Sequence, residues 1–222
     1  MGGQDEIGYF APAANGRLQY HSLLNLLPAK DRSFGDVWDI VSFKGNTYFR
    51  SPTKILKFTD RTAVVFNAPG EWAFLGLYNN HLYAQDYKAG LLQFQNDVWA
   101  PISATNSLPP GDAVTGIIPI NNDSALITTL KNGLYCLTGN KIVIQESVNN
   151  TLFKKDRIYA VTAVNKDWVA LATNNNGIYI TDLKGNIIQS FSRTEDLQNN
   201  NVRSVFPMGS IIYGWVWIMG LT

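Results

Sequence analysis

Gly90, Gly133 and Gly177 stand 43 and 44 residues apart, and each opens a short apolar run after a polar turn. The three runs read Lys88-Ala-Gly90-Leu-Leu-Gln-Phe, Lys131-Asn-Gly133-Leu-Tyr-Cys-Leu and Asn175-Asn-Gly177-Ile-Tyr-Ile-Thr. Upstream the frame holds without a gap through Leu82–Tyr87, Ala125–Leu130 and Val169–Asn174. It extends further, to Trp72–Leu77, Thr115–Ile120 and Tyr159–Val164. A repeat of this length is one supersecondary unit that cannot bury its own apolar faces and must stack on neighbours.

The clearest repeat contains four apolar runs: Ile158–Val164, Trp168–Thr173, Ile178–Thr181 and Asn186–Phe191. Asn165-Lys-Asp167, Asn174-Asn-Asn-Gly177 and Leu183-Lys-Gly185 separate them, and Asn, Asp and Gly are the residues that accept the positive φ of hairpin turns. Four antiparallel strands in about 40–45 residues make one propeller blade. The fold class expected is therefore all-β, a β-propeller of four-stranded antiparallel blades in about five repeats. Complete repeats fall near 37–69, 72–102, 113–146 and 158–192, the first with Lys54 in place of the glycine. Complementary half-repeats occupy 2–23, with Glu6 at the glycine position, and 202–219.

Gly220 falls in the frame where Gly2 does, five repeats on, so the chain spans one cyclic set. Two arrangements satisfy this: the half-repeats close a fifth blade, or the chain is cut from a larger ring. No helical stretch competes with the strands. Ser22–Lys30 is apolar enough for a helical turn, but Pro28 cuts it short. Asn106–Pro110 and Thr194–Asn201 read as linkers.

Hydrophobic residues make up 45% and charged residues 16% of the 222 residues, which excludes a disordered chain. The 18 basic and 17 acidic residues are dispersed, so no basic stripe offers a surface to nucleic acid. Cys136 is the single cysteine, which excludes an intramolecular disulfide; inside Leu134–Leu137 it reads as a buried core thiol. The longest apolar stretch, Ile211–Leu221, is half of what a membrane helix needs. Residues 1–6 lack the basic and apolar regions of a signal peptide, so an exported protein would carry this chain as a fragment.

No catalytic set is legible in the sequence. A glycosidase propeller needs carboxylates converging from first strands of different blades. Only Asp39 lies in such a strand, and it has no partner. His21 and His81 are isolated and read as surface histidines, so no metal site is expected. Calcium loops, phosphate loops and nucleophile elbows are absent, and no cofactor is implied. Of the six tryptophans, Trp99 and Trp217 read as packing residues. Trp72 and Trp168, at strand starts, are expected to be part-exposed; packing is the leading reading for most of the six, and ligand contact by Trp72 or Trp168 the lesser alternative. The sequence assigns no ligand-binding residues.

Leu197-Gln-Asn-Asn-Asn-Val202-Arg-Ser-Val, followed by Gly214-Trp-Val-Trp217-Ile218, resembles the two-component-regulator propeller repeat of bacterial sensor proteins. That repeat runs Leu-x-x-Asn-x-Val, then Gly-x-Leu-Trp-Ile-Gly-Thr-x-x-Gly-Leu. Residues 2–10 (GGQDEIGYF) and 34–40 (FGDVWDI) are similar to segments typical of the same sensors. The chain departs from the pattern after Ile218, reading Met219-Gly-Leu-Thr222, and it begins mid-blade, as a fragment would. The resemblance implies a non-enzymatic ligand-sensing module of a periplasmic receptor, preceding a triple-tyrosine domain, a membrane helix and a histidine kinase or DNA-binding output. It further implies downstream signalling domains in the parent chain, a homodimer, and a carbohydrate or other small ligand. A propeller scaffold for protein–protein contact, without a small ligand, is the alternative.

Overall fold

The computed structural model describes residues 1–102, 108–195, 197–208 and 212–216, with side chains described through Phe206. Trp217 to Thr222, the expected closing strand residues among them, and the start of the Asn106 linker lie outside the described residues. The chain divides into two compact units, Met1–Pro101 and Ile102–Thr222.

The N-terminal unit holds three antiparallel sheets. The first comprises β1 (Gly2–Gly3), β2 (Glu6–Pro12) and β3 (Leu18–Ser22). The second comprises β4 (Asp39–Phe43), β5 (Asn46–Arg50), β6 (Lys54–Thr59) and β7 (Thr62–Asn67). The third comprises β8 (Trp72–Tyr78), β9 (His81–Asp86), β10 (Gly90–Gln95) and β11 (Val98–Pro101). The C-terminal unit repeats the up-and-down order in β12 (Val114–Pro119), β13 (Ser124–Thr129), β14 (Gly133–Thr138) and β15 (Lys141–Ile144). It does so again in β16 (Ile158–Ala163), β17 (Trp168–Thr173), β18 (Ile178–Asp182) and β19 (Ile187–Phe191), and ends in the pair β20 (Ser204–Met208) and β21 (Ile212–Val216).

Side-chain alternation explains why these sheets stack. Successive residues of a strand point to opposite faces, and here both faces are buried against neighbouring sheets. Tyr48 and Ile55 enter a core shared with Trp72, Leu75 and Leu92, while Phe49 and Leu56 enter another with Ile7 and Phe34. In the C-terminal unit Val169 and Leu171 pack with Leu126 and Leu134, while Ala170 and Ala172 pack with Val202 and Val205. The second strands are consequently buried almost end to end: all six residues of β13 are buried, and the last five of β17. Fourth strands such as β15 and β19 are mostly exposed, as blade edges are.

The repeat glycines sit where the frame requires them. Gly90, Gly133 and Gly177 have φ of 81°, 81° and 73°, a conformation that other residues adopt at a cost. Where Lys54 replaces the glycine, the register differs by one. Arg50 faces Ile55, whereas Asp86 faces Gly90 and Thr129 faces Gly133, and Lys54 keeps an ordinary φ. Four residues before the glycine stands a buried polar residue that closes the turn. Thr129 Oγ1 donates to Gly133 O at 3.0 Å and Thr173 Oγ1 to Gly177 O at 2.9 Å. The Asp86 carboxylate accepts the backbone N–H of Gly70, Lys88 and Ala89.

Three expectations need correction. A seven-residue helix, α1 (Asn150–Asp156), follows β15, although no helix was expected there. It is anchored by Phe153, fully buried against Leu134, and by Asn150, whose Oδ1 accepts Leu134 N–H at 3.1 Å. Its two apolar residues, Leu152 and Phe153, are adjacent and leave no 3.6-residue periodicity to read. Trp72 is 2% exposed rather than part-exposed. The ungapped frame had placed it on Thr115 and Tyr159. The β8–β9 turn is only Asn79-Asn80, both at positive φ, while Asn121–Asp123 and Asn165–Asp167 form three-residue turns. Trp72 therefore takes the place of buried Val114 and Ile158, at the head of a first strand with a one-residue bulge behind it in all three repeats. Cys136, third, is half-buried rather than buried: its Sγ lies 3.4 Å from Thr138 Oγ1, toward the exposed end of β14.

The Ser22–Lys30 segment forms two short 3-10 turns, Leu24–Leu26 and Ala29–Asp31, on either side of Pro28.

Candidate functional site

A cleft of about 430 Å³ opens at one end of the second and third sheets of the N-terminal unit, a volume within the usual range of small-molecule sites. Tight turns build its rim. Lys44-Gly45 and Asn96-Asp97 have both central residues at positive φ, the geometry that matches hairpin twist. Each turn thereby presents polar side chains beside the last aromatic residue of its strand. Phe43 and Phe94 form the apolar wall, and Tyr48 meets Phe94 edge-on at 5.6 Å between ring centres.

Lys57 Nζ reaches Asp97 Oδ1 at 2.6 Å and lies 5.6 Å from the Phe94 ring centre, tying β6 to the β10–β11 turn. Lys44 Nζ lies 5.0 Å from the Phe43 ring centre, and no carboxylate pairs with it among the described residues. Tyr48 is 1% exposed, and no described residue hydrogen-bonds its hydroxyl. Burial, and then the Asp97 charge, push that hydroxyl up to about 12, so it is a neutral donor at ordinary pH. His81 lines the cleft with Nδ1 at 2.7 Å from Asn79 O; the carbonyl can only accept, so Nδ1 carries the proton. No serine, threonine or cysteine lines the cleft. The set can bind and orient a small molecule through paired and unpaired charges beside an aromatic wall.

The other residues singled out from sequence lie elsewhere. Asp39 is a brace between sheets: its Oδ2 accepts Arg50 Nε at 2.5 Å and Leu75 N–H at 3.0 Å, and Arg50 Nη1 donates to Trp72 O at 3.0 Å. Replacing Arg50 with methionine is expected to lower unfolding free energy by about 2 kcal/mol, less than for a fully buried pair because Asp39 keeps 29% side-chain exposure. Urea denaturation checks this, and an unchanged midpoint would refute the brace. His21 stacks on Tyr9 at 5.1 Å, away from the cleft lining. Trp38 and Trp168 are 58% and 41% exposed, and neither lines the cleft; Trp99 packs among Phe66, Phe94 and Trp72. No group of three or more His, Cys, Asp or Glu side chains able to hold a metal ion occurs among the described residues. Tyr48, Lys44, Lys57 and Asp97 were not identified from sequence. The available signal was Lys57, a lysine at the strand position where the other complete repeats have Gln93, Cys136 and Ile180.

No family model and no curated protein matches the chain. Solved structures do. An extracellular domain assigned to the hybrid two component system BT4673 of B. thetaiotaomicron superimposes over 93% of this chain and 28% of its own, with a TM-score of 0.66 and 15% identity. The corresponding domain of BT3049 from the same organism gives 0.58 and 17% identity, over 91% of this chain and 29% of its own. The WD40 β-propeller domain of Doa1 gives 0.62 and 9%, over 86% and 63%. These similarities establish the fold: the chain is built of β-propeller blades, and its structural neighbours include extracellular domains of the receptor class its repeats resemble. It spans under a third of the length of those receptor domains.

Proposed function

We propose that the chain is the ligand-sensing propeller module of a bacterial two-component-like receptor, positioned in the periplasm and joined to downstream signalling domains in its parent chain. The similarity to the extracellular domains of BT4673 and BT3049, over more than nine-tenths of the chain, carries this reading. The Leu197–Val205 motif supports it from the sequence side. The cleft offers groups suited to holding a small molecule, and no helix among the described residues is long and apolar enough to cross a membrane.

A second reading, a propeller scaffold for protein contact, is favoured by the β2–β3 hairpin, where Tyr9, Phe10 and Leu18 are 50%, 52% and 69% exposed. Exposed aromatic clusters of this kind are common at protein interfaces. The parent gene distinguishes the two. A membrane segment followed by a kinase or DNA-binding region is expected, and a complete gene without either would overturn the receptor reading.

A further inference from the structure

We propose that the cleft between the β4–β5 and β10–β11 turns binds a small organic carboxylate, its anionic group held by Lys44 and the Tyr48 hydroxyl and its apolar body against Phe43 and Phe94. This deepens the receptor reading by naming a ligand class, and rests on it only for what binding would signal.

Three observations carry the proposal. The first is charge. Lys57 is matched by Asp97 at 2.6 Å, which leaves Lys44 as one uncompensated cation on the lining. A monoanion balances it, whereas a dianion would meet the Asp97 carboxylate. The second is Tyr48. Its ring is buried, but its hydroxyl reaches the cleft, where solvent or a ligand can meet it. This side chain is 1% exposed, lines the cleft, and has no hydrogen-bond partner among the described residues. A hydroxyl so placed is a donor waiting for an acceptor, and a carboxylate oxygen is a strong one. The third is the wall: Phe43 and Phe94 offer ring surface beside the cation, so the anion's apolar body can be desolvated while its charge is paired.

Benzoate, its neutral isostere benzamide, and glucose as a neutral polyol are suitable probes, titrated into the purified chain by calorimetry and followed by NMR shifts of the cleft residues. Benzoate is expected to bind and the two neutral probes to bind at least about tenfold more weakly. Tyr48→Phe is expected to weaken benzoate about tenfold, the effect of one hydrogen bond to a charged group, without lowering the melting temperature, because the hydroxyl has no partner inside the protein. Lys44→Gln, on an exposed turn, is expected to erase the preference for benzoate over benzamide. The proposal is overturned if benzoate fails to bind up to roughly 10 mM, well beyond the range of a useful small-ligand affinity. It is equally overturned if benzamide or glucose binds as tightly, or if Tyr48→Phe destabilises the fold and leaves affinity unchanged. None of these failures touches the receptor reading, which stands or falls on the parent gene.

Discussion

Trp72→Ala is expected to cost about 3–5 kcal/mol of folding stability, the range for removing a large aromatic residue from a packed core. The indole is 2% exposed and belongs to the core shared by the second and third sheets, with Tyr48, Ile55, Leu82 and Leu92. It lies 5.6 Å from the Trp99 ring, its Nε1 donates to Phe66 O at 3.3 Å, and its carbonyl accepts Arg50 Nη1 at 3.0 Å. Neighbouring side chains cannot collapse into the space, because Phe66 already packs edge-on against both Phe94 and Trp99, and those two rings pack on each other at a tilt. Trp72→Phe keeps most of the volume and should lose about half as much or less. Urea denaturation of both variants checks the expectation. A loss under about 1 kcal/mol for the alanine variant would mean that the tryptophan does not hold these sheets together.

Gly177→Ala is expected to cost roughly 3 kcal/mol, the upper part of the range for strain at a special backbone position. Its φ of 73° alone costs a non-glycine residue about 1–2 kcal/mol. An added Cβ would also lie 2.0 Å from the Phe191 backbone oxygen, which is held in the β18–β19 ladder where Ile178 pairs with Phe191. Gly139→Ala is the control. Its φ is also positive, at 55°, but its Cβ would meet nothing within 4 Å, so only the conformational cost of about 1 kcal/mol applies. Thermal or urea unfolding that ranks the two variants equally would show that the close approach of Phe191 is not what makes glycine obligatory there.

Both residues show how much was legible beforehand. Gly177 was found by its spacing, since a positive φ at the head of three of the third strands selects glycine at a nearly fixed interval. Trp72 was located but misread. A one-residue shortening at Asn79-Asn80 is invisible to an ungapped frame, and one residue reverses which face a strand side chain takes. The helix over 150–156 escaped because its stability comes from Phe153 and Asn150 docking on β14, not from a pattern of its own. Asp39, the lone first-strand carboxylate, has its side chain engaged by Arg50 and Leu75, partners 11 and 36 residues away.

The amino-acid order determined the blade architecture, because period-two alternation and turn residues recurring every 43 or 44 positions are local properties carried by each repeat. Which side chains meet was decided only on folding. Lys57 and Asp97 lie 40 residues apart, Tyr48 and Phe94 46, and the cleft they form exists because two sheets stack with their tight turns side by side. Stacking of this kind is set by long-range burial of both faces of each sheet, for which no single repeat contains the information.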